Sequence, residues 1–160
     1  MLSWLLLALV AGSLVYCILT IVAALRYKAA RPSPLRDRVP ISILKPLAGI
    51  DDGLEENLRT FFEQEYAEFE ILFAVRNAGD PAIAVAERLR ARYPGVASRM
   101  IVTGEPPYPN AKVYSLDRML AAARHDLLVM SDSDIRVTPE MLAVIAAEFQ
   151  DAKLGLATCP

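Results

Sequence analysis

The chain has 160 residues, a net charge of −2 and 54% apolar residues, with a mean hydropathy of +0.32. That length allows one domain plus an appendage, and the charge excludes a dedicated nucleic-acid binder, which carries a basic excess. Leu2–Leu25 contains no charge while the remainder is charged like a folded soluble domain, which excludes a plain cytosolic protein, a polytopic bundle and a disordered chain.

The first predicted element is a membrane anchor over residues 2–25. A bilayer core of about 30 Å needs roughly 20 apolar residues as a helix. A buried core helix would show a polar face, and this run shows none. A cleaved signal would carry a basic segment in front of a shorter apolar run. Trp4 and Tyr27 suit the two interfacial belts. Arg26, Lys28, Arg31, Arg36 and Arg38 follow at once. Positive charge stays on the cytoplasmic side, so a single pass with the N-terminus outside and the rest in the cytoplasm is expected. These basic residues can also rest on anionic head groups. Residues 26–38 read as a juxtamembrane linker, kept extended by Pro32, Pro34 and Pro40.

The domain expected over residues 39–160 alternates strand and helix. Val39–Leu44 is a short β-rich run, and Leu54–Phe62 has helical spacing with Asp51 or Asp52 as cap. Phe69–Val75 (FEILFAV) is an apolar run suited to a sheet covered on both faces. Pro81–Tyr93 reads as a helix with Asp80 at its N-cap and Pro81 at its first position. Ser98–Thr103 is a third strand, followed by a proline-rich loop. Ala111–Ala123 is helical, and Asp126–Ser131 is a fourth strand. Thr138, Pro139 and Glu140 open another helix, and Leu154–Thr158 begins a fifth strand. This alternation predicts an α/β fold with a mostly parallel sheet and right-handed crossovers. Ligands of such sheets sit beyond the carboxyl ends of the strands. The order stops as a strand begins, so a truncated unit is expected.

The loops after those strands carry the candidate chemistry. Asp132 and Asp134, in SDSDIRV, lie two apart at a strand end, where both carboxylates can converge on Mg²⁺ or Mn²⁺. Such an ion would stabilise a departing diphosphate; the plainer reading is two acids capping a turn. An EF-hand fails, because Arg136 and Val137 occupy its fifth and sixth positions. An aspartyl phosphatase remains open. Asp80 is explained as an N-cap, and can also accept a nucleobase N–H. Asn110 and Lys112 begin a helix on the same crevice edge, where Lys112 can pair with phosphate or stand in solvent. Lys45 either lines the nucleotide site or belongs to a turn. Neither GxGxxG nor GxxxxGKS occurs. Cys17, Cys159 and the single His125 give no disulfide framework, zinc pattern or histidine triad.

The stretches 41–66 (ISILKPLAGIDDGLEENLRTFFEQEY), 80–85 (DPAIAV), 110–116 (NAKVYSL) and 131–137 (SDSDIRV), in that order, resemble the ceramide glucosyltransferases of glycosyltransferase family 21. Bacterial hopanoid-associated glycosyltransferases carry a similar pattern. The resemblance implies a Rossmann-like GT-A fold that takes a sugar from a UDP-sugar with inversion. It implies that Asp80 contacts the uracil and that Asp132, completed by Asp134, holds metal and diphosphate. Lys112 matches a lysine near the donor phosphates. The family's general base and its (Q/R)xxRW motif are absent from these residues, so no catalytic residue is assigned and the base is expected beyond Pro160. The implied acceptor is a lipid: ceramide with UDP-glucose, or a hopanoid with UDP-N-acetylglucosamine. A non-catalytic anchored α/β binding module is the alternative of another class.

Overall fold

The computed structural model describes residues 1–29 and 34–158; Arg31, Pro32 and Cys159 lie outside the described residues. Two compact units divide at Ser33 and Pro34. The first is helix α1, Leu2–Ala29, of 28 residues. At 1.5 Å per residue it spans about 42 Å, enough to cross a bilayer. None of its residues is buried. The Thr20 hydroxyl donates to the Tyr16 carbonyl one turn back at 2.9 Å, so this polar group is satisfied within the helix.

The second unit is an α/β sandwich. Its elements are β1 (Ile41–Pro46), α2 (Leu54–Phe62), β2 (Phe69–Val75), α3 (Ala82–Arg92), β3 (Ala97–Val102), α4 (Ala111–Leu120), β4 (Leu127–Met130) and α5 (Met141–Glu148). The four strands are parallel, in the order β3-β2-β1-β4. In register, Ile43 faces Ile71 on one side and Val129 on the other.

Alternation along β2 explains its nearly continuous apolar run, broken only by Glu70. Ile71, Phe73 and Val75 join the larger core with Leu58 and Phe61 of α2, Val85 and Leu89 of α3, and Leu142 of α5. Leu72 and Ala74 face the smaller core under Met119 of α4. Burial on both faces removes the need for polar alternation. In α2 the buried Leu54, Asn57, Leu58, Phe61 and Phe62 recur at helical spacing, while Glu55 and Arg59 remain outside. Phe62 stacks on Phe73 and Tyr93, with ring centroids 5.9 and 5.5 Å away.

Two local expectations are corrected. Neither Asp51 nor Asp52 caps α2 with its side chain: Gly53 occupies the cap at φ 74°, a left-handed conformation natural to glycine. That turn brings the Asp51 carbonyl, not its carboxylate, to the Leu54 N–H at 3.1 Å. Leu154–Thr158 forms no strand. A strand exists only through ladder partners, and this segment has none among the described residues.

Candidate functional site

The first three strands run outward from the centre, β1 to β2 to β3, and the chain then returns to place β4 on the other side of β1. The strand order therefore reverses between β1 and β4. That is the switch point where open α/β sheets leave a crevice beyond the carboxyl ends. Lys45 and Pro46 end β1 there, and Ser131–Asp134 leave β4 there.

The loop carrying Asp132 and Asp134 is laced to α2 from below. Arg136 Nε donates to Asn57 Oδ1 at 3.2 Å, and the Val137 N–H donates to Thr60 Oγ1 at 3.2 Å. Gln64, itself buried, donates to the Thr138 carbonyl at 2.8 Å and accepts the Leu142 N–H at 3.2 Å. Ser133 Oγ donates to the Asp51 carboxylate at 2.7 Å, which joins this loop to the one leaving β1.

Asp132 is held by two lysines. Lys112 Nζ, from the first turn of α4, lies 2.6 Å from Asp132 Oδ1, with both side chains about half exposed. Lys45 Nζ donates instead to the Asp132 backbone carbonyl and, at 3.3 Å, to Ser131 Oγ. Lys45 is fully buried, with Nζ 3.8 Å from the Phe61 ring centroid. Burial pushes its ammonium down to about 7, against the opposing pull of Asp132 and Asp134. So Lys45 reaches the site from the core, not from the crevice surface.

Asp80 lies at the end of the loop after β2. Its Oδ1 accepts the Ala82 N–H at 2.9 Å, and Pro81 already has helical dihedrals, so Asp80 caps α3 as expected. Both carboxylate oxygens also accept the Gly49 N–H at 3.1 Å, a bond across to the β1 exit loop. Asn110 caps α4, its Oδ1 accepting the Val113 N–H at 3.1 Å, which sets the first turn that presents Lys112. A shallow cavity of about 400 Å³ adjoins α4, walled by Arg76 and the proline loop from Glu105 to Pro109. Tyr108 meets Tyr114 edge-on there, at 5.8 Å.

The structure thus brings Lys45, Lys112, Asp132 and Asp134 to one strand-end region, with Asp80 tied to the same β1 exit loop. The Asp51–Ser133 bond and the Arg136–Asn57 bond were missed in the sequence; their only signal there was polar residues beside strand ends. Among the described residues, no three His, Cys, Asp or Glu side chains gather to hold a metal. Two carboxylates still fit a hard divalent cation, which takes oxygen ligands and fills its shell with water and phosphate.

Asp80→Asn separates the cap seen here from the nucleobase contact expected of Asp80. Asp80→Asn retains an oxygen for the α3 cap, and Asn caps as well as Asp, so the melting temperature should stay near wild type. If Asp80 accepts a uracil N–H, losing the charge should weaken UDP binding about tenfold, the difference between a charge-assisted and a neutral hydrogen bond. Asp80→Ala should in addition cost about 1 kcal/mol of stability. Equal destabilisation by Asn and Ala, measured by thermal unfolding beside UDP titration, would assign Asp80 to the fold alone.

The family model described as Glycosyl transferase family 21 matches residues 5–160. Ceramide glucosyltransferase 1 of Caenorhabditis elegans is 36% identical over 100 residues, 62% of this chain and 22% of the relative. The ceramide glucosyltransferase of Komagataella phaffii is 37% identical over 101 residues, covering 61% and 20%. The chain therefore spans only about a fifth of the length of these curated relatives. Among solved structures, the mannosyltransferase PcManGT from Pyrobaculum calidifontis, in complex with GDP-Man and Mn²⁺, superposes with a TM-score of 0.73 at 20% identity, covering 96% of this chain and 46% of that one. TarS 1-349 of S. aureus, in complex with UDP-GlcNAc, gives 0.59 at 16% identity, covering 76% and 37%. These two likenesses show a GT-A-like fold.

Proposed function

The chain belongs to glycosyl transferase family 21, and on that premise we propose that it is the donor-binding part of a membrane-anchored, inverting glycosyltransferase that moves a sugar from a UDP-sugar to a lipid. Glucose and ceramide are the proposed pair, supported by the likeness to ceramide glucosyltransferases. The observation that carries the reading is the placement of Asp132 and Asp134 at the strand-order reversal, with Lys112 already on Asp132.

Each residue then has a task. Asp132 and Asp134 hold Mg²⁺ or Mn²⁺, which when bound neutralises charge on the departing diphosphate. Lys112, half exposed at a helix start, pairs with a phosphate oxygen. Asn110 keeps that first turn formed. Asp80 accepts an N–H of the uracil. Lys45 serves the donor site from beneath, through Asp132. In the whole protein a base takes the proton of the acceptor hydroxyl, whose oxygen bonds to the anomeric carbon as the bond to UDP breaks.

We assign α1 to the membrane, with the N-terminus outside and the α/β unit in the cytoplasm, from its length and from Arg26 and Lys28 in its last turn. We place the basic juxtamembrane linker at residues 26–38, of which 26–29 form the last turn of α1, and the GT-A domain at residues 39–160.

The test is calorimetric titration of the detergent-solubilised chain with UDP, with and without Mn²⁺. UDP binding that depends on Mn²⁺ is expected; no binding by folded chain would reject the donor site. Impermeant labelling of the N-terminus on intact cells checks the topology, and protection from label would reverse it.

A further inference from the structure

We infer that Lys45 is a positioning residue of the donor site, holding from inside the core the turn that carries Asp132 and Asp134. The inference rests on the proposed donor site and assigns Lys45 a role through Asp132 rather than through contact with the sugar nucleotide.

Lys45 is fully buried, in the central strand, on the face occupied by Ile41, Ile43 and Phe61. An ammonium in such a place costs the fold unless a close charge compensates it. The acceptors Lys45 has are neutral: the Asp132 carbonyl and Ser131 Oγ. The third neighbour is the Phe61 ring face. The Asp132 carboxylate pairs with Lys112, and the attraction of Asp132 and Asp134 for Lys45 is smaller than the cost of its burial. A methionine would fill the same space without the cost of desolvation. Stability alone therefore gives no reason for a lysine here.

Position supplies the reason. The β1–β4 ladder ends at Leu44 and Met130, with one further bond from the Ser131 N–H to the Leu44 carbonyl at 3.1 Å. Beyond it the chain turns into Asp132–Asp134, where sheet pairing no longer dictates its path. Lys45 takes over at that residue. By donating to both Ser131 and Asp132 it fixes the peptide from which the Asp132 side chain departs. Groups that orient a ligand from behind typically change metal affinity 10- to 100-fold when removed.

The test compares Lys45→Met, Lys45→Gln and wild type in the full chain in detergent. The readouts are melting temperature, Mn²⁺ affinity from the paramagnetic resonance of the free ion, and UDP affinity in Mn²⁺. Lys45→Met should melt at or above the wild-type temperature yet bind Mn²⁺ and Mn²⁺–UDP 10- to 100-fold more weakly. Lys45→Gln keeps a donor for the Asp132 carbonyl without the charge, and should recover most of that loss. An unfolded or less stable Lys45→Met would make Lys45 a structural group and overturn the inference. So would wild-type affinity in Lys45→Met. Equal loss in Met and Gln would assign the effect to charge, again against positioning. Wild-type chain that binds neither Mn²⁺ nor UDP would instead remove the donor-site reading itself, and the inference with it.

Discussion

Asp132→Asn/Asp134→Asn should abolish Mn²⁺-dependent UDP binding, a loss of more than ~100-fold, while the melting temperature stays within about two degrees of wild type. The two halves of this expectation have separate causes. Replacing both carboxylates removes the hard anionic oxygens a divalent cation selects, and with them more than an outer-shell group contributes. The fold is spared because the bonds that hold the turn do not use the two carboxylates. Lys45 bonds to the Asp132 carbonyl, which Asn retains, and Ser133 and Arg136 keep their bonds to Asp51 and Asn57. Only the ion pair with Lys112 disappears; it is half exposed and worth no more than about 1 kcal/mol. Isothermal titration and a thermal melt on one sample decide it. Affinity retained within about threefold would return the two acids to their plainer role as turn caps and leave family membership without a local metal site.

Glu70→Ala should destabilise the α/β unit by about 3 kcal/mol, a fall of roughly 10 °C in melting temperature for a domain of this size. Glu70 is the fully buried carboxylate of β2, on the α4 side of the sheet. It accepts the Ser42 hydroxyl at 2.8 Å, the Arg124 N–H at 2.7 Å and Arg124 Nε at 2.9 Å, with Arg99 Nη2 at 3.6 Å. Truncation leaves the buried Ser42 hydroxyl and the Arg124 backbone N–H without their acceptor, which costs the desolvation of each, while the exposed Arg124 guanidinium turns to water. Burial raises the Glu70 pKa, but the Arg124 and Ser42 bonds outweigh it and hold the carboxyl below its ordinary value. A depressed folded pKa stabilises above the unfolded value, about 4.3, and that contribution disappears as pH falls through the folded one. Melting temperatures of wild type should therefore drop below about pH 4, and Glu70→Gln should flatten that part of the profile. An unchanged profile in Glu70→Gln would assign acid sensitivity to other carboxylates.

Those two sites also show where one-dimensional reading succeeds and where it stops. Leu54–Phe62 and Phe69–Val75 have the bounds the pattern predicts, because a helical stripe and a doubly buried strand each write a periodicity into consecutive residues. Asp132 and Asp134 were legible for a related reason: acids directly after an apolar run mark a strand end, and strand ends face the crevice. Glu70 looked like a polar interruption in FEILFAV. Its partners Ser42 and Arg124 lie 28 and 54 positions away, a relation that local spacing does not record. Lys45 followed the same logic in reverse. A lysine after ISIL reads as lining the nucleotide site or as part of a turn, yet it lies within β1 and is buried, and its bond to Asp132 spans 87 positions. The α2 cap failed for a more local cause, the left-handed Gly53, which exchanged the carboxylate of Asp51 for its carbonyl.

The place of β1 in the sheet has a consequence for how the domain is made. β1, β2 and β3 pair in the order in which they leave the ribosome, so each new strand finds its neighbour already present. β4 does not: its partner is β1, with about 80 residues synthesised between Pro46 and Leu127. At translation speeds of about 5–20 residues per second, one edge of the central strand stays unpaired for roughly 4 to 16 seconds. An open edge of that kind is a template for wrong pairing, and distant pairings are the slow ones to close. Of the four described strands, the one made latest is the one that brings Asp132 and Asp134. A nascent chain thus pairs β1, β2 and β3 before the turn that carries Asp132 and Asp134 has a strand to depart from.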